Sequence, residues 1–296
     1  MSRAYATRVA AVRRMSPHFV RFTLADEELR HFHTGGLDQR IKLFLPRPDG
    51  TFPDLGLWRE PQPSLMEWYN AWRALAESER NPIRTYTVRD IRPAEREIDV
   101  DFVVHGTEGP ASAWALSAAP GDELIVIGPD GRHENAGAGI EWSPGTATEV
   151  LLAGDETAVP AICAILESLP ETFTGEAYLE VPSEQDVLPV RTASAVAVHW
   201  LPRDGAALGE PLTAAVRDWG RRRSEGAAGG GEEFAEIGAE DPLWEVSEPE
   251  GFREYAWLAG EAGVITALRR HMVKDLGLSR KQVSFMGYWK RGRASS

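Results

Sequence analysis

Along its first 130 or so residues the chain alternates apolar and polar positions in short runs. Tyr5–Val12, Phe19–Leu24, Ile41–Leu45, Arg84–Arg89, Glu97–His105 and Glu123–Ile127 are rich in β-branched or aromatic residues and bounded by Gly, Pro or Asp. This is the pattern of strands with one buried face, and six of them in about 125 residues predict a small antiparallel barrel. Two stretches keep a helical period instead. Leu65, Trp68, Trp72 and Leu75 recur near every 3.6 residues within Leu65–Glu79, and Ala111–Ala118 follows Gly109-Pro110, where proline suits a first turn.

Beyond residues 134–146 the pattern changes. The runs Glu149–Ala153, Glu176–Val181, Ala195–Leu201, Tyr255–Ala259 and Val283–Tyr288 are predominantly apolar and alternate with helical stretches at Val159–Leu169, Pro211–Arg222 and Glu261–Leu276. Apolar strands interleaved with helices predict a parallel sheet covered on both faces. The expected fold class is therefore β + α/β: an N-terminal antiparallel β-barrel over residues 1–133, followed by a Rossmann-like open α/β domain over 147–296.

Composition narrows the classes of function. With 43% hydrophobic and 26% charged residues in 296, the chain has an ordinary globular make-up. No apolar run approaches the roughly 18–20 residues of a membrane span, and the first residues lack a signal-peptide pattern, so a cytoplasmic protein is expected. Cys163 is the single cysteine, which excludes a disulfide framework and a multi-cysteine metal site; its apolar neighbours mark it as a core thiol. The seven histidines include His31 and His33 in one loop but lack a ligand set around them, so no protein metal site is expected.

A net charge of −13 argues against general nucleic-acid binding, but that charge is unevenly spread. Glu232–Glu250 holds eight acids and no Lys or Arg, which is most of the excess. The preceding RRRSEGAAGGGEEF, Arg221–Phe234, reads as a flexible loop, so about 224–250 is taken as an acidic insertion. From Arg269 to Arg293 eight bases face one acid, Asp275, which predicts a basic surface near the C-terminus.

Candidate chemistry starts with RTYTVR, Arg84–Arg89. A flavin dinucleotide needs a cation for its pyrophosphate, a flat ring against its isoalloxazine and small polar donors near the redox edge. Arg84, Tyr86 and Thr87 are of those types, although period two puts Thr87 on the opposite face from the other two. A plain surface strand with one partly buried tyrosine has the same four residues. About twenty residues on, HGTEGPASAWAL, His105–Leu116, is a strand end turning into a helix whose first residues are small. Free N–H groups and the positive dipole end make such a start an anion site. Gly109, Ala111 and Ser112 allow close approach there, and His105 or Trp114 can flank a ring.

With these motifs the sequence resembles the siderophore-interacting protein family, the NAD(P)H-dependent ferric-siderophore reductases of the ferredoxin-reductase-like superfamily. The resemblance spans nearly the whole chain. It rests on RTYTVR, DFVVHGTEGPASAWA (Asp101–Ala115), GDELIVIGPDG (Gly121–Gly131), AGDETAVPAI (Ala153–Ile162), WLAGEAGVI (Trp257–Ile265) and GYWKRGRA (Gly287–Ala294). It implies non-covalent FAD in the barrel domain, with Arg84, Tyr86 and Thr87 at the flavin. Asp101, Val103, His105, Gly109, Ala111, Ser112 and Trp114 complete the FAD set, the last part of it at pyrophosphate and adenine.

The α/β domain then becomes the expected nicotinamide-binding domain, with Gly154, Asp155, Glu156, Thr157, Ala158, Gly260 and Glu261 at two strand ends. The loop is not GxGxxG. Two acids sit badly beside phosphates, so Asp155 and Glu156 are expected at ribose hydroxyls or an amide. Ordinary strand–helix connections are the plain alternative for both loops. VPSEQDV, Val181–Val187, carries two acids and no base, which leans towards NADH over NADPH, with Arg191 and Arg203 near enough in sequence to reverse it.

Ferric siderophores are bulky and often anionic. Lys42, one of four lysines, with Lys290 and Arg291 and more weakly Arg132, are the candidate substrate cations; each also reads as a solvated strand-end charge. The resemblance implies electron transfer from NAD(P)H through FAD to Fe(III), with the flavin carrying the chemistry and no catalytic side chain. Other readings are a reductase of the same fold that passes electrons to a ferredoxin or free flavin, and a non-enzymatic siderophore-binding protein.

Overall fold

The six alternating runs of the first half become β1 (Ser2–Arg14), β2 (Phe19–Ala25), β3 (Arg40–Phe44), β4 (Ile83–Arg92), β5 (Glu97–Val103) and β6 (Glu123–Pro129) in the computed structural model of the protein. It describes residues 2–107, 109–134, 136–225, 244–246 and 251–292. The chain divides into two units, one ending at Ile140 and the other beginning at Glu141. No helix of the described residues is long and apolar enough to cross a membrane.

In the first unit the strands close into an antiparallel barrel in the order β1-β2-β5-β4-β3-β6. Closure follows from the alternation: Phe22, Leu24, Ile41, Leu43, Val100, Phe102, Leu124 and Val126 all point inward and are buried. The residues between them on β5 face outward and carry charge. Asp101 takes two hydrogen bonds from Arg21 at 2.7 and 2.8 Å, and Asp99 takes two from Arg92 at 2.7 and 3.0 Å.

Part of the outer wall is apolar and is covered by α1 (Leu65–Ala74), whose Trp68 and Trp72 bury Phe44, Ile83, Ile125 and Ile127. A capping box of Ser64 and Glu67 starts this helix. It stops at Ala74, short of the expected Glu79, because Arg80 turns back to donate to the Leu75 and Arg73 carbonyls. The second helix, α2 (Pro110–Ser117), packs Ala111 and Ala115 into the barrel core.

The second unit is a sheet ordered β10-β12-β11-β7-β8-β9, from β7 (Glu149–Gly154), β8 (Thr174–Val181), β9 (Ala195–Pro202), β10 (Trp244–Glu245), β11 (Glu254–Glu261) and β12 (Val283–Trp289). All pairs are parallel except β10 with β12. Helices α4 (Glu210–Glu225) and α5 (Ala262–Arg270) cover one face, where Leu212, Val216, Ile265 and Leu268 meet Leu151, Ala153, Ala256 and Leu258. Helix α3 (Val159–Ser168) leaves β7 for the other face, which Val150 and Leu152 share by parity. Helices leave in opposite directions from the neighbouring strands β7 and β11, which is the topological switch point of such a sheet.

The structure departs from the sequence expectations at three places in this unit. Arg223–Glu225, expected in a flexible loop beyond a helix ending at Arg222, continues α4, because Arg222 pairs with Glu176 at 3.0 Å and Arg223 with Glu254 at 2.8 Å. The rest of the acidic insertion falls outside the described residues, save 244–246, where Trp244–Glu245 forms the edge strand. Arg269, counted in the basic surface, is buried: its guanidinium lies 4.1 Å from the Phe285 ring centroid and pairs with Glu245. Glu261, expected in the first turn of a helix, instead caps α5, and the helix ends at Arg270 in a π turn, His271–Asp275.

Candidate functional site

On β4, Arg84 and Tyr86 pair with Leu43 and Ile41 and share the inward parity, whereas Thr85 and Thr87 share the outward face with Lys42 and Arg40 of β3. Tyr86 lies on the Phe102 ring with centroids 4.3 Å apart, and burial pushes its phenol up, so it stays neutral. Arg84 is half-buried. Among the described residues its one hydrogen bond is to the Ile83 carbonyl at 2.8 Å, and no carboxylate pairs with it. Burial lowers its pKa from the usual value, the signature of a desolvated cation lacking an anion. Thr87 is buried, and a bulge one residue beyond Val88 leaves it on the outer face.

Lys42 has the same character. Burial first, and the charge of Arg40 second, lower its pKa, and among the described residues its ammonium reaches only the Thr85 hydroxyl at 3.5 Å.

At the end of β5, Val103 is half-buried, and the chain passes His105 and Gly106 into α2. The Ser112 hydroxyl accepts from the His105 N–H at 3.0 Å and donates to the Gly106 carbonyl at 2.6 Å, closing the turn. Among the described residues no side chain caps α2 at Gly109, and an added Cβ there would meet nothing within 4 Å. The helix start is therefore open, and it offers the backbone N–H groups of Gly109, Ala111 and Ser112. Trp114 is turned from this mouth into the barrel end, 5.0 Å from Phe22 and 5.5 Å from Phe102. His105 is exposed, with its ring 5.9 Å from that of His18. The Asp101 carboxylate is taken by Arg21, with Arg89 at 3.9 Å.

Arg132 is likewise engaged. It donates from Nε and its backbone N–H to Asp130 at 2.8 and 3.1 Å. Burial pushes the Asp130 carboxyl up, but the hydrogen bonds from Arg132 and the charges of Arg132 and Arg3 outweigh it and hold it down to about 2. Folded Asp130 thus stays ionised below the 3.8 of an unperturbed aspartate. Its stabilisation is complete above that value and is lost as pH falls towards about 2. Asp130→Asn should flatten the acid limb of unfolding of the first unit, read by tryptophan fluorescence between pH 4 and 2; an unchanged limb would refute the assignment.

In the second unit the AGDETA loop is tied inward. Gly154 is needed for contact, not for the turn: a Cβ would lie 2.5 Å from Ala158 Cβ and 2.7 Å from the Ala259 carbonyl. Asp155 is buried and accepts four hydrogen bonds, from the Thr157 N–H and hydroxyl at 2.9 and 2.5 Å, the Glu261 N–H at 2.7 Å and Trp289 Nε1 at 2.9 Å. Burial and the neighbouring Glu156 raise its pKa. Glu156 holds Arg203 at 2.6 and 2.9 Å. Neither carboxylate is free for a ribose, and the Thr157 proton is spent on Asp155.

Arg203 also donates to Glu180 at 3.1 Å, and Glu180, fully buried, accepts from the Gly209 and Leu212 N–H groups at the start of α4. This Glu156–Arg203–Glu180 triad was not foreseen; the PRDG turn after β9 was the available signal. Glu261 caps α5 by accepting from Gly263 and Val264 at 2.7 and 3.0 Å. Between the first turns of α4 and α5 opens a cleft of about 640 Å³, whose walls include Thr213, Arg217, Glu261, Gly263 and Arg291. Lys290 and Arg291 are exposed at the end of β12, and Arg191 is exposed before β9.

Comparison with known proteins places this arrangement. The siderophore-interacting FAD-binding domain matches residues 8–133 and the siderophore-interacting protein model residues 147–292. An uncharacterized protein of Mycobacterium tuberculosis is 33% identical over 295 residues, covering 98% of this chain and 91% of that one. Ferric vibriobactin reductase ViuB of Vibrio cholerae is 29% identical over 281 residues, covering 94% and 86%. The crystal structure of a siderophore utilization protein from T. fusca superposes with a TM-score of 0.71 at 26% identity, over 99% of this chain and 94% of that one. With an FAD-binding-type barrel, a Rossmann-like α/β unit and these relatives along its whole length, the chain belongs to the siderophore-interacting protein family.

Proposed function

We propose that the protein is a ferric-siderophore reductase, moving electrons from NADH or NADPH through FAD to Fe(III) in a siderophore and so releasing Fe(II). The observation that carries this reading is Arg84, a half-buried guanidinium without a carboxylate partner among the described residues, on the strand of the RTYTVR motif. A desolvated, unpaired cation needs an anion, and the open start of α2 supplies backbone donors for a second phosphate oxygen. These residues fit the pyrophosphate of FAD. Kinship with ferric vibriobactin reductase supports the choice of acceptor.

In this reading residues 1–133 form the FAD domain and 147–296 the nicotinamide domain. Bound FAD supplies the conversion between a two-electron donor and a one-electron acceptor. Arg84 and the N–H groups of Gly109, Ala111 and Ser112 hold the pyrophosphate. Tyr86, kept neutral by burial, and Thr87 line the strand at the flavin, while Asp101 contributes by fastening Arg21 and Arg89 behind it. Each unit offers candidate positive charge for an anionic chelate: Lys42 on the first, Lys290 and Arg291 on the second. Arg132 is left out, because Asp130 neutralises it.

The dinucleotide is assigned to the switch point, where Gly154–Ala158 and Gly260–Glu261 end β7 and β11, and to the adjoining cleft. Backbone groups of these loops make the contacts, since the Asp155 and Glu156 carboxylates are engaged. NADH is the preferred donor in this reading: Val181–Val187 carries two acids and no base, and Arg203, one of two arginines near it in sequence, is held by Glu156 and Glu180.

Anaerobic titration is the test. NADH should bleach the flavin band at lower concentration than NADPH, and a ferric siderophore should restore it with one flavin reoxidised per two Fe(III). Failure of catecholate, hydroxamate and carboxylate chelates alike, with rapid reoxidation by a ferredoxin or free flavin, would overturn the assignment.

A further inference from the structure

We propose that Asp155, acting through the indole of Trp289, is the positioning residue for Lys290 and Arg291, and so decides how the second unit presents positive charge to an anionic ferric chelate. The choice of substrate rests on the reductase reading above. The positioning itself rests on geometry around the end of β12.

Strands β11 and β12 run in parallel register until the pairing shifts: Gly260 lies opposite Gly287, but Glu261 lies opposite Trp289, so Tyr288 is an extra residue. Such a bulge re-aims the side chains that follow it. Beyond it, Trp289 reaches across the end of β11 and donates Nε1 to Asp155 at 2.9 Å. Gly260 makes the passage possible. A Cβ there would stand 2.6 Å from Asp155 Oδ2, and its φ of +148° is one that side chains disfavour. Two residues later the Arg291 N–H donates to Glu261 Oε1 at 3.2 Å. The segment 289–291 is thus fastened at both ends, to the loop after β7 and to the cap of α5, while the Lys290 side chain between them is exposed.

The choice of aspartate follows from counting acceptors. A carboxylate offers about four lone-pair sites and an amide carbonyl two. Asp155 receives four donors from three strand ends. An asparagine there would leave donors unmet and free the Trp289 end of the strap. A strap that moves spreads its two cations over a larger volume, and the local potential that draws an anion falls accordingly.

Trp289→Phe keeps an aromatic ring but removes the N–H together with the five-membered ring that carries it. Expected are a rise of about tenfold in KM for an anionic ferric chelate, as for loss of one hydrogen bond holding the strap, and a shallower dependence of kcat/KM on ionic strength. Asp155→Asn should show the same change in chelate KM and salt dependence. Amide hydrogen exchange at 289–291, measured on the same proteins, should quicken in both variants. Wild-type chelate KM and salt dependence in both, or unchanged exchange at 289–291, would overturn the proposal. A wild-type protein that reduces no chelate removes the reductase reading alone, because the exchange measurement still decides the positioning.

Discussion

Arg84→Ala purifies as a colourless or nearly colourless protein. That outcome follows from the single unpaired guanidinium on β4. A charge-assisted hydrogen bond to phosphate is worth about 1.5–3 kcal/mol, so its loss weakens FAD binding by about ten- to a hundredfold. Arg84→Lys should recover part of this, since an ammonium keeps the charge but not the fork. The barrel itself should be unharmed or slightly stabilised, because removing a desolvated, unpartnered cation relieves a burial cost. Flavin content by absorbance, FAD affinity by fluorescence quenching and the melting temperature of flavin-free protein separate these effects. Retention of stoichiometric FAD by Arg84→Ala would move the pyrophosphate site elsewhere.

The largest expected effect on stability lies in the second unit, at Glu180. Its fully buried carboxylate satisfies the Gly209 and Leu212 N–H groups and shares Arg203 with Glu156. Glu180→Ala strands two helix donors and leaves a cavity beside a buried guanidinium, a loss of about 3–5 kcal/mol by the rule for breaking a buried ion pair. Glu180→Gln keeps the acceptor oxygen and the volume and should cost less. Urea unfolding followed by the tryptophans of the second unit, Trp142, Trp219 and Trp257 among them, measures both. If Glu180→Ala unfolds with the wild-type midpoint, the triad is not a stabilising element of this unit.

Much of the fold was legible in the sequence. Period two in the first half and apolar strands alternating with helices in the second are local consequences of burying one face or both. The six barrel strands therefore appear close to where the pattern predicts them. What hydrophobic period cannot carry is a competing partner, near or far in the chain. Leu75 keeps the helical period, yet Arg80 ends α1 before it. Arg223–Glu225 has a loop's composition, yet α4 runs on through it, with Arg223 held by Glu254.

The candidate site divides the same way. Residue types along RTYTVR, IKLFLP and HGTEGPAS mark Arg84, Lys42 and the start of α2 as candidate anion-binding groups, because that chemistry resides in a charge or a helix start. Whether a charge is available is a different matter, settled by its neighbours in the fold, most of them remote in the chain. Asp130 neutralises Arg132, the glutamates 156 and 180 neutralise Arg203, and Phe285 with Glu245 buries Arg269. Asp155, which reads as an awkward acid in a phosphate loop, takes its meaning from Trp289, 134 residues away. The sequence by itself determined which segments become strand or helix and where ionisable groups occur. Only the tertiary structure decided which of those groups remain unpaired, since pairing depends on distances between strand ends that no local pattern encodes.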